Sequence, residues 1–407
     1  MRLVVAAALA LALAGCSTVI GADFDRPAAP PPDAGASPST IPVASDGTCP
    51  PARKRCGDAC ALKDDPAFGC AADACAPCAP PADGVASCSA LLACDFACAP
   101  GFERIGDRCV GFRIEQRDMP ELLTITGRGP EDVFVAGGTP YEPARIFHSR
   151  GDGKWSPQPV EVDNNRLIFG FANTPTGDLF LASESTSHGE HVMLPLLSVD
   201  SGGSWRPNGI GDPPARRTLG VWAASAQEIY TVDGIDVRHY RNGQWRKETT
   251  DVVDGRFLWG TSADNVFVIG ERGAIAQRWT DGTWHRIVTP TSEMRIGGIW
   301  GELRGDRYDV YIVGGNGLVM YSANMREFTV LPTGTTEGFG GVWGTGQDVW
   351  VVGGRGTILR GSVDRGFTLV PSGTDAGLLG VWGTSSTNLF VIGIPPGGYS
   401  GVILRRS

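Results

Sequence analysis

Apolar and polar positions alternate in short bursts along most of the chain, and the bursts recur. The clearest copy is LLGVWGTSSTNLFVIGI over 378–394, with relatives starting at 218 (TLGVWAASAQEIYTV), 257 (FLWGTSADNVFVIG), 296 (IGGIWGELRGDRYDVYIVG) and 339 (FGGVWGTGQDVWVVG). Trp222, Trp259, Trp300, Trp343 and Trp382 of these copies stand 37, 41, 43 and 39 residues apart. A period of that length marks a repeat architecture. Two degenerate copies come first: LLTITGRGPEDVFVAG puts Thr126 at the tryptophan position, and LIFGFANTPTGDLFLAS puts Phe171 there. The count is then seven.

Each copy reads as four short strands: an apolar run with small residues, an alternating run such as Asp348–Val352, a third run after a glycine turn, and a fourth near an aromatic. No segment carries a helical period. RNGQW at 241 and TDGTW at 280 link third to fourth strands, and Asn-Gly and Asp-Gly favour two-residue hairpin turns. Four antiparallel strands in about 43 residues, repeated around a ring, are propeller blades. The predicted fold is all-β, a seven-bladed β-propeller of four-stranded blades over 110–407, behind a small disulfide-rich module. The repeat aromatic should fill the space between blades, where truncation to Ala would cost about 3–5 kcal/mol if the side chain is fully buried. The last copy ends at its third strand, Val402–Arg405, while Gly111–Glu115 precedes the first copy without a partner. Closure of the ring by that segment would remove exposed edges.

The N-terminus changes the picture. MRLVVAAALALALAGC over 1–16 has a basic start, an apolar core and a small-residue exit, an export signal too short to span a bilayer. Leu13-Ala14-Gly15-Cys16 resembles the lipobox of bacterial lipoproteins. The resemblance implies cleavage before Cys16, acylation there, and anchoring at roughly 0.8 kcal/mol per buried methylene. Ser17 at the next position resembles outer-membrane sorting in such families. The alternative is a plain cleaved signal. Residues 17–48, rich in Pro, Ala and Ser, are expected to form an extended tether.

Ten of the eleven cysteines follow over 49–109: Cys49, Cys56, Cys60, Cys70, Cys75, Cys78, Cys88, Cys94, Cys98 and Cys109. In an exported chain they predict five disulfides in a module too small to hold itself otherwise, with pairing left open. Cys75-Ala-Pro-Cys78 could be a redox or zinc pair, but a structural bridge is the expected role. CPPARKRCGDACALKDDPAFGC resembles stigma-specific-protein-like cysteine-rich segments, with Phe-Gly where that pattern has Asn before its fourth cysteine.

Ser198-Val199-Asp200-Ser201-Gly202-Gly203-Ser204-Trp205 matches S-x-D-x-G-x-S/T-W, and Asp152–Trp155, Asn242–Trp245 and Asp281–Trp284 carry traces of it. The blades therefore resemble bacterial propellers built from sialidase-type Asp-box (BNR) repeats, in which the box stabilises a turn away from any active site. Candidate binding residues lie toward the opposite face. Arg166, Arg217 and Arg295 stand five residues before the repeat aromatic and Arg256 three before, suiting carboxylate, sulfate or phosphate. Solvated loop arginines are the alternative. Longer loops carry Tyr141, Tyr399, His188, Glu190 and His191, a recognition surface for sugars or peptides. The two histidines and glutamate offer at most three ligands and no aligned scaffold, so no metal and no cofactor is expected.

The chain lacks the G-x-S-x-G, P-loop, dinucleotide and H-E-x-x-H patterns. No catalytic residue is assigned. A net charge of −9 argues against nucleic acid. The expectation is an outer-membrane lipoprotein whose monomeric propeller is a non-catalytic binding or assembly platform for an envelope protein or surface polysaccharide. The rival expectation is a sialidase-like carbohydrate-active enzyme.

Overall fold

The computed structural model describes residues 39–71, 73, 75–138, 145–160, 165–185, 197–199, 205–207, 218–252, 254–291 and 295–407. Among them the protein is all-β, with three single 3₁₀ turns and no α-helix. The chain divides into two compact units. One comprises residues up to Ala79 with Ala86–Asp95; the other comprises Pro80–Val85 with Phe96–Ser407.

The smaller unit has little apolar core and is held covalently. Strands Thr40–Pro42, Ala59–Leu62 and Arg53–Cys56 form a three-stranded sheet in that order. Bridges join Cys49 to Cys60, Cys56 to Cys75, Cys70 to Cys88 and Cys78 to Cys94. Cys75 and Cys78 thus take different partners and form no redox pair with each other. The fifth bridge, Cys98–Cys109, lies in the larger unit.

The larger unit contains seven four-stranded antiparallel sheets in chain order. Their first strands are Thr124–Gly129, Asn165–Asn173, Gly220–Ser225, Phe257–Ser262, Ile296–Arg304, Phe339–Thr345 and Gly377–Ser385. Each first strand packs on the next, and the seventh packs on the first. The outer strand of sheet 7 is Phe112–Met119, which pairs with Gly401–Arg406. That is the closure expected for Gly111–Glu115.

The Trp-Gly dipeptide explains how neighbouring sheets fit. A Cβ added to Gly127 would lie 2.5 Å from the Trp382 ring; at Gly301 it would lie 2.6 Å from Trp259, and at Gly344 2.6 Å from Trp300. In these three pairs the indole of one sheet sits on the glycine that follows the repeat position of the next. These tryptophans are only half-buried, whereas Trp205 and Trp350 are fully buried, so the full truncation cost belongs to the latter pair.

Register corrects two expectations. The repeat aromatic pairs with the aromatic of the second strand, as in Trp222 with Tyr230 and Trp343 with Trp350. In sheet 2 the partner of Phe180 is Ala172, not Phe171: the ladder shifts after Ile168 as it does after Ile296, Phe339 and Leu378, and the residue four further on, a tryptophan in sheets 5 to 7, is here Ala172. Asn242-Gly243 is a two-residue turn with both φ positive, as predicted. Asp281-Gly282 is not: Trp279 and Thr283 are hydrogen-bonded across a three-residue loop, in which the Asp281 carboxylate accepts the Thr283 N–H at 2.9 Å.

Candidate functional site

The first strands meet around a central channel of about 200 Å³. Side chains one position before the residue that pairs with the second-strand aromatic form its collar: Ile125, Phe171, Val221, Leu258, Ile299, Val342 and Val381, one from each sheet. Among the described residues, Arg256 is the single charged side chain lining it. An apolar ring of this kind offers neither an acid, a base nor a nucleophile to a molecule within it.

Around that channel the described charges are largely spoken for. Arg256 Nη2 lies 2.7 Å from Glu271 Oε1, and Arg355 Nε donates to Glu337 Oε1 at 2.8 Å. Glu271, Arg272 and Gly273 form one of the tight turns between second and third strands, as do Gly354, Arg355 and Gly356. Their middle arginines have positive φ, and each turn is braced by the segment entering the next sheet: Thr289 Oγ1 donates to the Gly273 carbonyl, while Gly356 N–H donates to Ala376 O. The row of available guanidiniums expected here is therefore reduced by Arg256, whose charge is engaged within its own sheet.

Of the other candidates, Arg295 is exposed and its carbonyl accepts the Gly315 N–H at 2.8 Å. Tyr399 is exposed on the loop before Gly401. Arg166 lies at the start of the first strand of sheet 2. Tyr141, Arg217, and the His188, Glu190 and His191 cluster lie outside the described residues, as does most of the Ser198–Trp205 box. Among the described residues one group could ligate a metal, the sulfurs of Cys70, Cys78 and Cys94 within 4.8 Å of one another. All three are in disulfides.

A second repeated constellation was not anticipated. The residue two positions before the second-strand aromatic, at or near the start of that strand, is acidic or amide: Asp132, Asp178, Glu228, Asn265, Asp309, Asp348 and Asn388. In five sheets it meets a polar third-strand side chain that stands opposite the second-strand aromatic. His148 Nε2 lies 2.8 Å from Asp132, and His239 Nε2 lies 2.7 Å from Glu228. Gln277 bonds Asn265 at 2.8 Å, while Tyr321 and Arg360 reach Asp309 and Asp348 at 2.7 Å each. The third-strand group also covers the aromatic: His148 stacks on Phe134, His239 on Tyr230, and Arg360 lies over Trp350.

The electrostatics match a structural role. Burial would raise the Asp348 carboxyl, but hydrogen bonds from Arg360, Ser386 and Arg365 outweigh it and hold the group well below the usual carboxylate range. Burial pushes the Tyr230 and Tyr321 hydroxyls up. The sequence signal was available, a polar residue two positions before every second-strand aromatic.

No protein-family model matches the chain, and no curated protein matches it in sequence. Solved structures do match in shape. YCF48 from Cyanidioschyzon merolae aligns with TM-score 0.52 at 17% identity over 72% of this chain and 98% of its own. YCF48 bound to D1 peptide gives 0.54 at 15%, over 73% and 96%. The WD40 β-propeller domain of Doa1 gives 0.52 at 10%, over 72% and 97%. The likeness shows a β-propeller fold.

Proposed function

We infer that this chain is a lipid-anchored envelope protein whose seven four-stranded sheets are the blades of a closed propeller serving as a non-catalytic binding platform. The observation that carries the reading is the channel collar. Seven apolar side chains ring the channel, and among the described residues that line it Arg256 alone is charged and already faces Glu271. Recognition then belongs to the loops around the channel, with Arg217, Arg295, Tyr141 and Tyr399 as contact residues.

A protein segment is the favoured partner, supported by the similar propeller whose structure holds a peptide. Arginine and tyrosine are the residue types that anchor such interfaces. Anchoring through Cys16, an outer-membrane location and a monomeric propeller complete the proposal.

The test is a binding screen of the full chain against solubilised envelope proteins and surface glycans, each incubation also assayed for product. Binding without turnover, lost when the four residues become Ala, is the expected result. Turnover in any incubation replaces the platform with the carbohydrate-active enzyme; binding indifferent to the four substitutions moves the site elsewhere.

A further inference from the structure

Two disulfides of the smaller unit lie against each other. Cys70 Sγ, bonded to Cys88, is 3.2 Å from Cys78 Sγ, bonded to Cys94. Cys70 is buried, Cys78 nearly so, and Cys94 is exposed. The other two members are also neighbours. Strands Gly84–Cys88 and Cys94–Cys98 form a two-stranded sheet, and the Ser89 N–H donates to the Ala93 carbonyl at 2.9 Å. Cys88 and Cys94 are the next residues outward, which sets them opposite each other, where cross-strand Cβ atoms lie about 4.5–5.5 Å apart.

The same four sulfurs thus have a second complete pairing within reach. We propose that the module has two disulfide isomers, Cys70–Cys88 with Cys78–Cys94 and Cys70–Cys78 with Cys88–Cys94, interconverted by an external monothiol. The thiolate attacks exposed Cys94 Sγ, forms a mixed disulfide there and expels Cys78 as thiolate. Cys78 then attacks Cys70 Sγ at its side, forming Cys70–Cys78 and expelling Cys88. Cys88 attacks the mixed disulfide at Cys94, forming Cys88–Cys94 and releasing the monothiol. Two disulfides are present before and after, the proton lost by the monothiol returns to it, and nothing is oxidised or reduced overall.

The consequence is mechanical. In the first isomer both bridges tie the hairpin around Ser89–Ala93 to the segment Cys70–Cys78. In the second, hairpin and segment are each closed on themselves, and no bridge of the quartet joins them. An exposed thiol-accessible cysteine thereby controls whether the hairpin is tethered.

Cleavage before aspartate separates the players, because Asp65, Asp73, Asp83 and Asp95 place Cys70, then Cys75 and Cys78, then Cys88 and Cys94 on three successive peptides. The full chain is treated with a substoichiometric monothiol such as reduced glutathione, quenched with acid, alkylated, cleaved and mapped by mass spectrometry. The expected result is release of peptide 83–94 as a separate species with an internal bridge, while the Cys70 and Cys78 peptides become joined directly. If 83–94 stays linked to both others until its cysteines appear as alkylated thiols, the proposal fails. A second measurement uses the Cys88→Ser, Cys94→Ser double variant, checked for retained β-sheet by circular dichroism. It should bridge Cys70 to Cys78 on air oxidation, and free thiols at both positions overturn the idea.

Discussion

The two units solve the same problem by opposite means. Residues up to Ala79 with Ala86–Asp95 place few side chains in a core and rely on four covalent bridges. The propeller has one bridge and seven clusters of buried apolar residues, many spanning neighbouring sheets. A small unit cannot remove enough apolar surface from water to offset the entropy of its chain. A ring of repeats can, since every sheet is covered on both faces by its neighbours. Bridges constrain the unfolded chain, whereas packing stabilises the folded one, so different perturbations should find each unit.

Full reduction by a dithiol should separate them most. Each native bridge in a small domain is worth about 2–5 kcal/mol, so losing four should unfold the smaller unit. Hydrogen exchange should show protection lost over 40–62 and kept in second strands such as Asp348–Gly353. Equal loss in both would mean that the propeller also depends on bridges.

Next comes Trp350→Ala. It empties a fully buried site and should lower stability by about 3–5 kcal/mol. Trp300→Ala, at a half-buried repeat position, should cost less, about 2 kcal/mol. Urea titration of both variants checks the order. Gly344→Ala should destabilise less once Trp300 is Ala, giving a coupling of about 1–3 kcal/mol in a double-mutant cycle, with a residual cost from the Asp348 carbonyl oxygen 2.9 Å from the added Cβ.

Asp348→Asn should cost on the order of 2 kcal/mol at neutral pH by weakening charge-assisted bonds to Arg360 and Arg365. The sign of its pH dependence follows from the depressed carboxyl. Its contribution is complete above the unfolded carboxylate value of about 3.9 and is lost as pH falls through the folded value. The gap between native chain and variant should therefore narrow below about pH 4 in unfolding titrations, and a constant gap would remove Asp348 from the account.

The smallest effect belongs to Arg256→Ala. Its ion pair with Glu271 is exposed and should contribute less than about 1 kcal/mol, seen as a slight shift in thermal midpoint. A larger loss would make this rim part of the structural core.

The sequence showed the repeat because Trp-Gly and the alternating second run are local patterns. Closure by the Phe112–Met119 strand was legible for the same reason, since one copy lacked a strand and one strand lacked a copy. What escaped depends on register. In sheet 2 the repeat position falls on Ala172 and the neighbouring Phe171 lines the channel, and an aromatic one place away from a small residue misleads an alignment made on aromatics. The acid-to-third-strand bonds escaped because the intervening turn varies: Asp132 and His148 are 16 residues apart, Glu228 and His239 only 11. Of the candidate residues that the structure describes, Arg256 gained an acidic partner, Glu271 at 2.7 Å, and the pairing of two side chains 15 residues apart leaves no mark in the repeat.

The closing strand also sets an order of events. Ile114 pairs with Leu404, and they are 290 residues apart. As the chain is synthesised from its N-terminus, Phe112–Met119 is made before any other strand of the ring, yet its partner is the last strand of the ring in chain order. Its ladder edge stays unpaired while sheets 1 to 6 form, and the ring closes only once Gly401–Arg406 has appeared. A chain truncated before Gly401 would leave that edge permanently open, a template for pairing with another copy.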